Sequence, residues 1–403
     1  MNIAFFCEGF TKASIVALPW RQIQEIASRI LAQGSLTCVL TDLSPGLPKD
    51  EQINGMSIHR IRKKGSLLDL RDLLESLSEN DVDLVNWNSG PLSALYFLRL
   101  RKLLSKRIVW TIYQGKIFRQ DLTSLRLSDI LRLRRFWNSI LCSFTPSFVI
   151  KKGADIHQVK RIITLSKRLK SYLEGMRIDG EKITSIPSGV DTKNIRPLSQ
   201  EDKTNKKVTF GFEEKDKIIL YFGPLSTPRG ADIVISAMKR ILEEIPTAKL
   251  VILARKSGQD LTETNLENLA RKNSTIQLIG GITQPKMIMQ YLGMADVVAL
   301  PFRFWPYTEC PLTVLESMAM EKPVVTTYAG SLSEIVENGR TGFLVPPANV
   351  ISYSQAIVKI LNDEQLSSEM GKRAREYVEK FHDWDIIAKS TFNVFQKAMN
   401  EDI

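Results

Sequence analysis

Two carboxylates and a run of prolines mark the stretch where chemistry is concentrated. Glu309 precedes a segment, 312–320, in which Leu312, Leu315, Met318 and Ala319 recur at helical spacing, and Glu316 falls about two turns into it. Pro301, Pro306 and Pro311 hold the chain before it out of helix, because each lacks a backbone N–H and has a fixed φ. Pro311 suits the first turn, where that N–H would be unpaired in any case. The apolar run 296–300 ahead of the prolines is short enough for a buried strand. A helix that begins freely presents unpaired N–H groups and a partial positive charge, a natural seat for phosphate. A carboxylate one or two turns further in can accept hydrogen bonds from sugar hydroxyls. That pairing suits a nucleoside diphosphate. A plainer account also fits, with Glu309 favouring the helix dipole and Glu316 a solvated helix residue.

The elements that must position these residues alternate along the chain. In the first half, strands are predicted at 3–7, 36–40, 56–61, 82–87 and 108–112, with helices at 20–32, 67–77 and 89–104. The alternation calls for a parallel sheet covered on both faces, an α/β fold of Rossmann type, with ligands beyond the carboxyl ends of the strands. The second half repeats the pattern, with strands at 218–222, 249–253, 275–278, 291–300 and 322–326 and a helix running from Asp232 through Leu242. Helices over 351–361, 366–379 and 385–399 close the chain. Residues 192–216, rich in Lys, Asp, Glu, Thr and Asn, read as linker and edge, which puts a domain boundary near 200. At 403 residues the chain is too long for one ordinary core.

Composition narrows the function classes. Hydrophobic residues at 43% and charged residues at 25% are ordinary for a globular protein. No apolar run approaches the ~20 residues needed to span a bilayer. The start, Met1-Asn2-Ile3-Ala4-Phe5-Phe6-Cys7-Glu8, reads as a first strand rather than a secretory leader. Cys7, Cys38, Cys142 and Cys310 lack metal-ligand spacing, so neither zinc nor disulfides are expected, and a reducing cytoplasmic setting is. Charge is uneven: residues 95–172 hold 18 Lys and Arg against 3 Asp and Glu, a net of +15 in a chain of +11. Within that region Leu127, Ile130, Leu131, Phe136 and Trp137 interleave with basic residues. Such a segment suits either a solvated helix over the sheet or an interfacial helix on anionic lipid. A nucleic-acid face is not expected, because no reading motif accompanies the charge.

The segment 316–345 resembles the donor-binding signature of the retaining, GT-B-fold glycosyltransferases of family GT4, the group 1 glycosyl transferases. The matching strings are Glu316-Ser317-Met318-Ala319, Lys322-Pro323-Val324-Val325, Gly330-Ser331-Leu332-Ser333-Glu334 and Gly339-Arg340-Thr341-Gly342-Phe343-Leu344-Val345. Two more follow the family: Ile162-Ile163-Thr164-Leu165-Ser166, a strand and Ser-headed helix, and Ile186-Pro187-Ser188-Gly189-Val190-Asp191 near the domain junction. The chain also departs from the pattern. Counting back eight from Glu316 reaches Thr308, with Glu309 one residue nearer, so either fills the first-acid role. Lys322 stands at the glycine before Pro-Val-Val, and Pro224 replaces one of two cations beside the diphosphate, leaving Arg229. Asn86, Asn88 and Tyr113-Gln114 occupy places where many members carry His.

The resemblance implies a GT-B architecture: an acceptor domain 1–200, a nucleotide-sugar domain 201–380, and a crossover helix 381–403 packing back on the first domain. It implies transfer of a hexosyl unit from a nucleotide-diphosphate sugar, UDP- or GDP-linked, to a glycan or lipid-linked acceptor, without a metal or further cofactor. Catalytic roles fall to Glu309 and Thr308. Donor contacts fall to Arg229, Gly223, Gly281, Ile282, Cys310, Leu312, Thr313 and Glu316. Gly9, Lys12 and Tyr113 take the acceptor side, and Arg255 and Arg303 are further cations near the diphosphate. The basic region 95–172 would meet the cytoplasmic face of a membrane. Two other classes remain open: a GT-B epimerase or hydrolase of nucleotide sugars, which the shortage of histidines disfavours, and a non-catalytic membrane-surface subunit.

Overall fold

The computed structural model describes residues 1–65, 67–101, 105–113, 145–255, 266–268, 270–271, 273–281, 284–303 and 309–401. Thr308, Ile282, the basic and apolar stretch 114–144 and the side chain of Arg255 lie outside these residues.

Eight strands form the first sheet, in the spatial order Ile183–Ser185, Val159–Thr164, Arg107–Ile112, Leu84–Ser89, Asn2–Phe6, Leu36–Asp42, Met56–Ile61 and Asp50–Ile53. All neighbours pair parallel except the last two, which form a hairpin. Asn2–Phe6 is apolar along most of its length because both of its faces are covered. On one face the Trp20–Ala32 helix buries Ile23, Ile26, Ala27 and Ile30 against Ile3 and Phe5. On the other, Leu73, Leu77, Phe97 and Leu169 pack against Ala4, Phe6 and Val85. Each such fully buried aliphatic side chain is worth about 1.5–3 kcal/mol. The helix expected over 67–77 starts later, as Leu70–Glu79, because the carboxylate of Asp69 caps it at the Arg71 amide. The expected 89–104 helix opens with a 3-10 turn at Pro91–Ser93 and is helical over Ala94–Leu100.

The second sheet has six strands, all parallel, in the order Ile276–Gly280, Ala248–Arg255, Lys217–Pro224, Val297–Ala299, Val324–Thr327 and Gly342–Val345. Two expectations are corrected here. Residues 291–294 belong to the Pro285–Met294 helix, and only Val297–Ala299 is strand. The polar stretch 192–216 contains a helix, Gln200–Thr209, capped by Ser199 at the Asp202 amide.

The chain passes between the sheets twice, and the two passages are hydrogen-bonded together. The Val190 amide donates to the His382 carbonyl at 2.7 Å, and the Trp384 amide donates to the Val190 carbonyl at 3.3 Å. His382 Nδ1 sits 2.9 Å from the Ser188 carbonyl, and Thr192 Oγ1 bonds Asp383. A Cβ on Gly189 would lie 2.4 Å from the Trp384 ring, so the indole rests on bare backbone. Beyond the crossing, the Trp384–Met399 helix packs Ile387, Val394 and Phe395 into the first domain's core, as the crossover reading expects. Arg29 and Lys193 both pair with Asp385 at its start.

Two residues of the turn after the Leu312–Ala319 helix carry stability consequences. The residue in left-handed conformation, which favours glycine, is Glu321, at φ 54°, and not Lys322. Left-handed backbone costs a non-glycine residue roughly 1–2 kcal/mol. Glu321→Gly is therefore expected to stabilise by about 1 kcal/mol, read as a higher urea midpoint at unchanged slope; an unchanged or lower midpoint contradicts the assignment.

Lys322 is buried, with Nζ donating to the Gly293 carbonyl at 2.7 Å. Burial, with Lys203 nearby, pushes its ammonium down to about 7. The unfolded chain then holds more protons than the folded one between pH 7 and about 10.5, so stability rises with pH through that window. Thermal melts of the wild type from pH 7 to 9 are expected to show that rise, and Lys322→Met to flatten it. Equal slopes for the two proteins contradict a neutral buried lysine.

Candidate active site

In the second sheet the strand order reverses between Lys217–Pro224 and Val297–Ala299. A crevice opens beyond the carboxyl ends at such a point. The first of these strands has Gly223 as its last residue but one, and the loop leaving it contains a single 3-10 turn, Thr227–Arg229. Gly223 has φ 140°, and a Cβ there would lie 3.7 Å from Arg229 Nη1, so the guanidinium runs along bare backbone. Its Cζ also stands 5.1 Å from the centre of the Phe302 ring. The two loops flanking the crevice are tied to each other. Gly230, at φ 69°, leaves no space for a side chain: its Cβ would fall 1.9 Å from the Pro301 carbonyl oxygen. The Arg303 amide donates to the Pro228 carbonyl at 3.0 Å, and the Arg303 guanidinium pairs with Asp232. Arg303 is thus part of the loop brace.

The Leu312–Ala319 helix begins at this crevice. Pro311 is its N-cap, one position earlier than expected, and supplies no side-chain cap. The first amide to bond back is that of Val314, to the Pro311 carbonyl at 3.1 Å, so Leu312 and Thr313 fall in the open first turn. Thr313 Oγ1 is buried and has no hydrogen-bond partner among the described residues. Glu316 is half-buried on the same helix. Burial, set against hydrogen bonding from Ser188, pushes the Cys310 thiol up to about 12, so it stays protonated at neutral pH. Gly281, at φ 75°, follows the strand Ile276–Gly280 and faces open space where a Cβ would be.

The Glu309 side chain, on the loop before the Leu312–Ala319 helix, reaches the first domain. It is 5% exposed, and its Oε2 accepts from Ser166 Oγ of the first domain at 3.1 Å. Ser166 caps the Lys167–Glu174 helix. Glu334 reaches the same helix end, accepting from the amides of Lys167 at 2.7 Å and Arg168 at 2.8 Å. Leu312 packs on the first domain's core beside Trp384. The sequence identified Ser166 only as a helix head and Glu334 only as part of a string. A Ser before a helical run signals an N-cap; its carboxylate partner is set by tertiary structure.

On the acceptor side the three candidates have different surroundings. The Gly9 amide donates to Asp42 Oδ1 at 2.6 Å, and Asp42 pairs with Lys63 at 2.8 Å. Lys12 is exposed. Tyr113 is buried at the carboxyl end of Arg107–Ile112, and its hydroxyl donates to Asn88 Oδ1 at 2.9 Å. Asn88 in turn donates to Asn86, and Asn86 to Thr111. Burial raises the Tyr113 phenol well above its ordinary range. A structural role accounts for this environment, with the hydroxyl engaged by Asn88.

Two family models match the chain: Glycosyltransferase Family 4 over residues 20–194 and Glycosyl transferases group 1 over residues 202–377. An uncharacterized glycosyltransferase of Methanocaldococcus jannaschii is 30% identical over 59% of this chain and 60% of its own length. The chain therefore spans less than two thirds of that relative. YtcC of Bacillus subtilis is 26% identical over 99% of this chain and 93% of its own. Sucrose-phosphate synthase of Thermosynechococcus elongatus superposes with a TM-score of 0.78 over 98% of both chains at 19% identity, a likeness of fold alone. The architecture is that of the GT-B glycosyltransferases. Within that class, the chain belongs with the family-4-like group 1 glycosyltransferases. Among the described residues no helix is long and apolar enough to cross a membrane.

The contact at Gly230 yields a test of the loop brace. Gly230→Ala must move Pro301 or abandon φ 69°, and is expected to cost about 2 kcal/mol or more by denaturant unfolding. A loss below about 0.5 kcal/mol, ordinary for an unconstrained surface site, contradicts the close approach.

Proposed function

We propose that the protein transfers a hexosyl unit from a UDP- or GDP-linked sugar to a hydroxyl of a glycan or lipid-linked acceptor, with retention at the anomeric carbon. The observation carrying this reading is the open N-terminus of Leu312–Ala319 at the sheet's switch point, where Thr313 Oγ1 is buried without a partner among the described residues. An anion seated there meets two amides, a hydroxyl and the positive end of the helix.

In this scheme the bond between the anomeric carbon and the diphosphate breaks, and its electron pair leaves with the diphosphate. The amides of Leu312 and Thr313 and the guanidinium of Arg229 take up the growing charge, typically the largest catalytic contribution. The acceptor hydroxyl attacks from the face the diphosphate leaves, and its proton passes to a departing phosphate oxygen. No enzymic nucleophile, metal or further cofactor enters. Glu316 holds the ribose hydroxyls, and Gly281 and Ile282 offer backbone to the nucleobase. Gly223 keeps the floor beside Arg229 bare, and Cys310 shapes the wall as a neutral thiol. Glu309, with Thr308 as the alternative, orients the sugar at the reacting carbon. Gly9 and Lys12 border the acceptor's approach. The basic balance of residues 95–172 supports a cytoplasmic, membrane-surface setting for a lipid-linked acceptor.

Calorimetry with UDP, GDP, ADP and TDP tests the donor site without knowledge of the acceptor. One nucleotide is expected to bind in the micromolar range, weakened about tenfold or more by Glu316→Ala and by Arg229→Ala. Absence of binding by all four, or equal binding by wild type and variants, contradicts this placement.

A further inference from the structure

Ser166 follows the Val159–Thr164 strand by two residues, and its hydroxyl makes two hydrogen bonds of opposite sense. Its Oγ accepts from the Leu169 amide at 3.0 Å and donates to Glu309 Oε2 at 3.1 Å. The residue is 2% exposed, and its bond to Glu309 joins side chains 143 residues apart in sequence. The two preceding amides of the same turn, Lys167 and Arg168, are held by Glu334. The amides of the turn thus have acceptors from both domains, and with Leu169 donating to the Ser166 oxygen, the hydroxyl proton is directed at Glu309.

We propose that Ser166 is a positioning residue for Glu309, fixing from the first domain the carboxylate that orients the sugar in the second. The inference rests on the role proposed for Glu309 above. Glu309 is then set for reaction only when the Lys167–Glu174 helix and the Glu309–Leu312 loop meet. Glu334 keeps that helix end in place through two charge-assisted hydrogen bonds. A carboxylate displaced by ~1 Å from its productive position can cost ~100-fold in rate.

The test separates helix capping from hydrogen-bond donation. Asn and Asp are comparably strong N-caps, but only Asn can also donate to Glu309. UDP-glucose, UDP-N-acetylglucosamine and GDP-mannose serve as probes, with nucleoside diphosphate release to water as the readout. Ser166→Asn is expected to stay within about threefold of the wild-type kcat, while Ser166→Asp and Ser166→Ala lose about tenfold or more, with donor KM within about twofold throughout. Wild-type kcat in Ser166→Asp, or a raised KM at unchanged kcat, overturns the proposal. Glu309→Gln separates the two levels. Turnover lost there but kept in Ser166→Asp overturns this inference alone. A wild-type rate in Glu309→Gln, or no donor consumed by the wild type, overturns the functional reading and this inference with it.

Discussion

The arrangement of the cleft depends on the backbone pairing between Val190 and the segment His382–Trp384. Two chain passages between two sheets would otherwise act as independent tethers. Joined by hydrogen bonds at 2.7 and 3.3 Å and packed through Gly189 on Trp384, they behave as one connection. The polar groups around them reinforce this, since Ser188 holds both Gln22 and His382. Arg375 donates to the carbonyls of Ile195, Ala319 and Thr192, linking the crossing to the end of the Leu312–Ala319 helix. The relative placement of the two domains, and so the meeting of Glu309 with Ser166, follows from this small set of contacts.

Two helix N-termini face this region and are treated in opposite ways. The Lys167–Glu174 helix has its first amides taken by Ser166 and by a carboxylate of the other domain. The Leu312–Ala319 helix starts at a proline that offers no side-chain acceptor, with the Thr313 hydroxyl buried beside it. The first is a closed structural joint, whereas the second has unmet hydrogen-bonding capacity at a sheet switch point. That asymmetry, more than the presence of acids nearby, singles out the second as the anion seat.

Much of the fold was legible because periodicity reports burial. Trp20–Ala32, the paired sheets and the closing helices all follow from apolar spacing. The misreadings have physical causes. Residues 291–300 form a short apolar run, which periodicity alone cannot assign to strand or helix. Gln200–Thr209 is polar nearly all round, so only its cap, Ser199 with Asp202, could have signalled it. That the turn residue favouring glycine is Glu321 rather than Lys322 is not written in residue type, since neither is a glycine. At the site, the helix start was readable from residue type and spacing, whereas Arg229 was singled out only through the family resemblance. The burial of Tyr113 against Asn88 and the seat of Glu309 on Ser166 arise between distant parts of the chain, and no local pattern encodes them.

The most direct test of the central claim is a crystal structure with the tightest-binding nucleoside diphosphate. The account predicts diphosphate density within hydrogen-bond reach of the Leu312 and Thr313 amides and the Arg229 guanidinium, with the ribose on Glu316. Density instead at the switch point of the first sheet, beside Gly9 and Asn88, would contradict it and transfer the donor to the other domain.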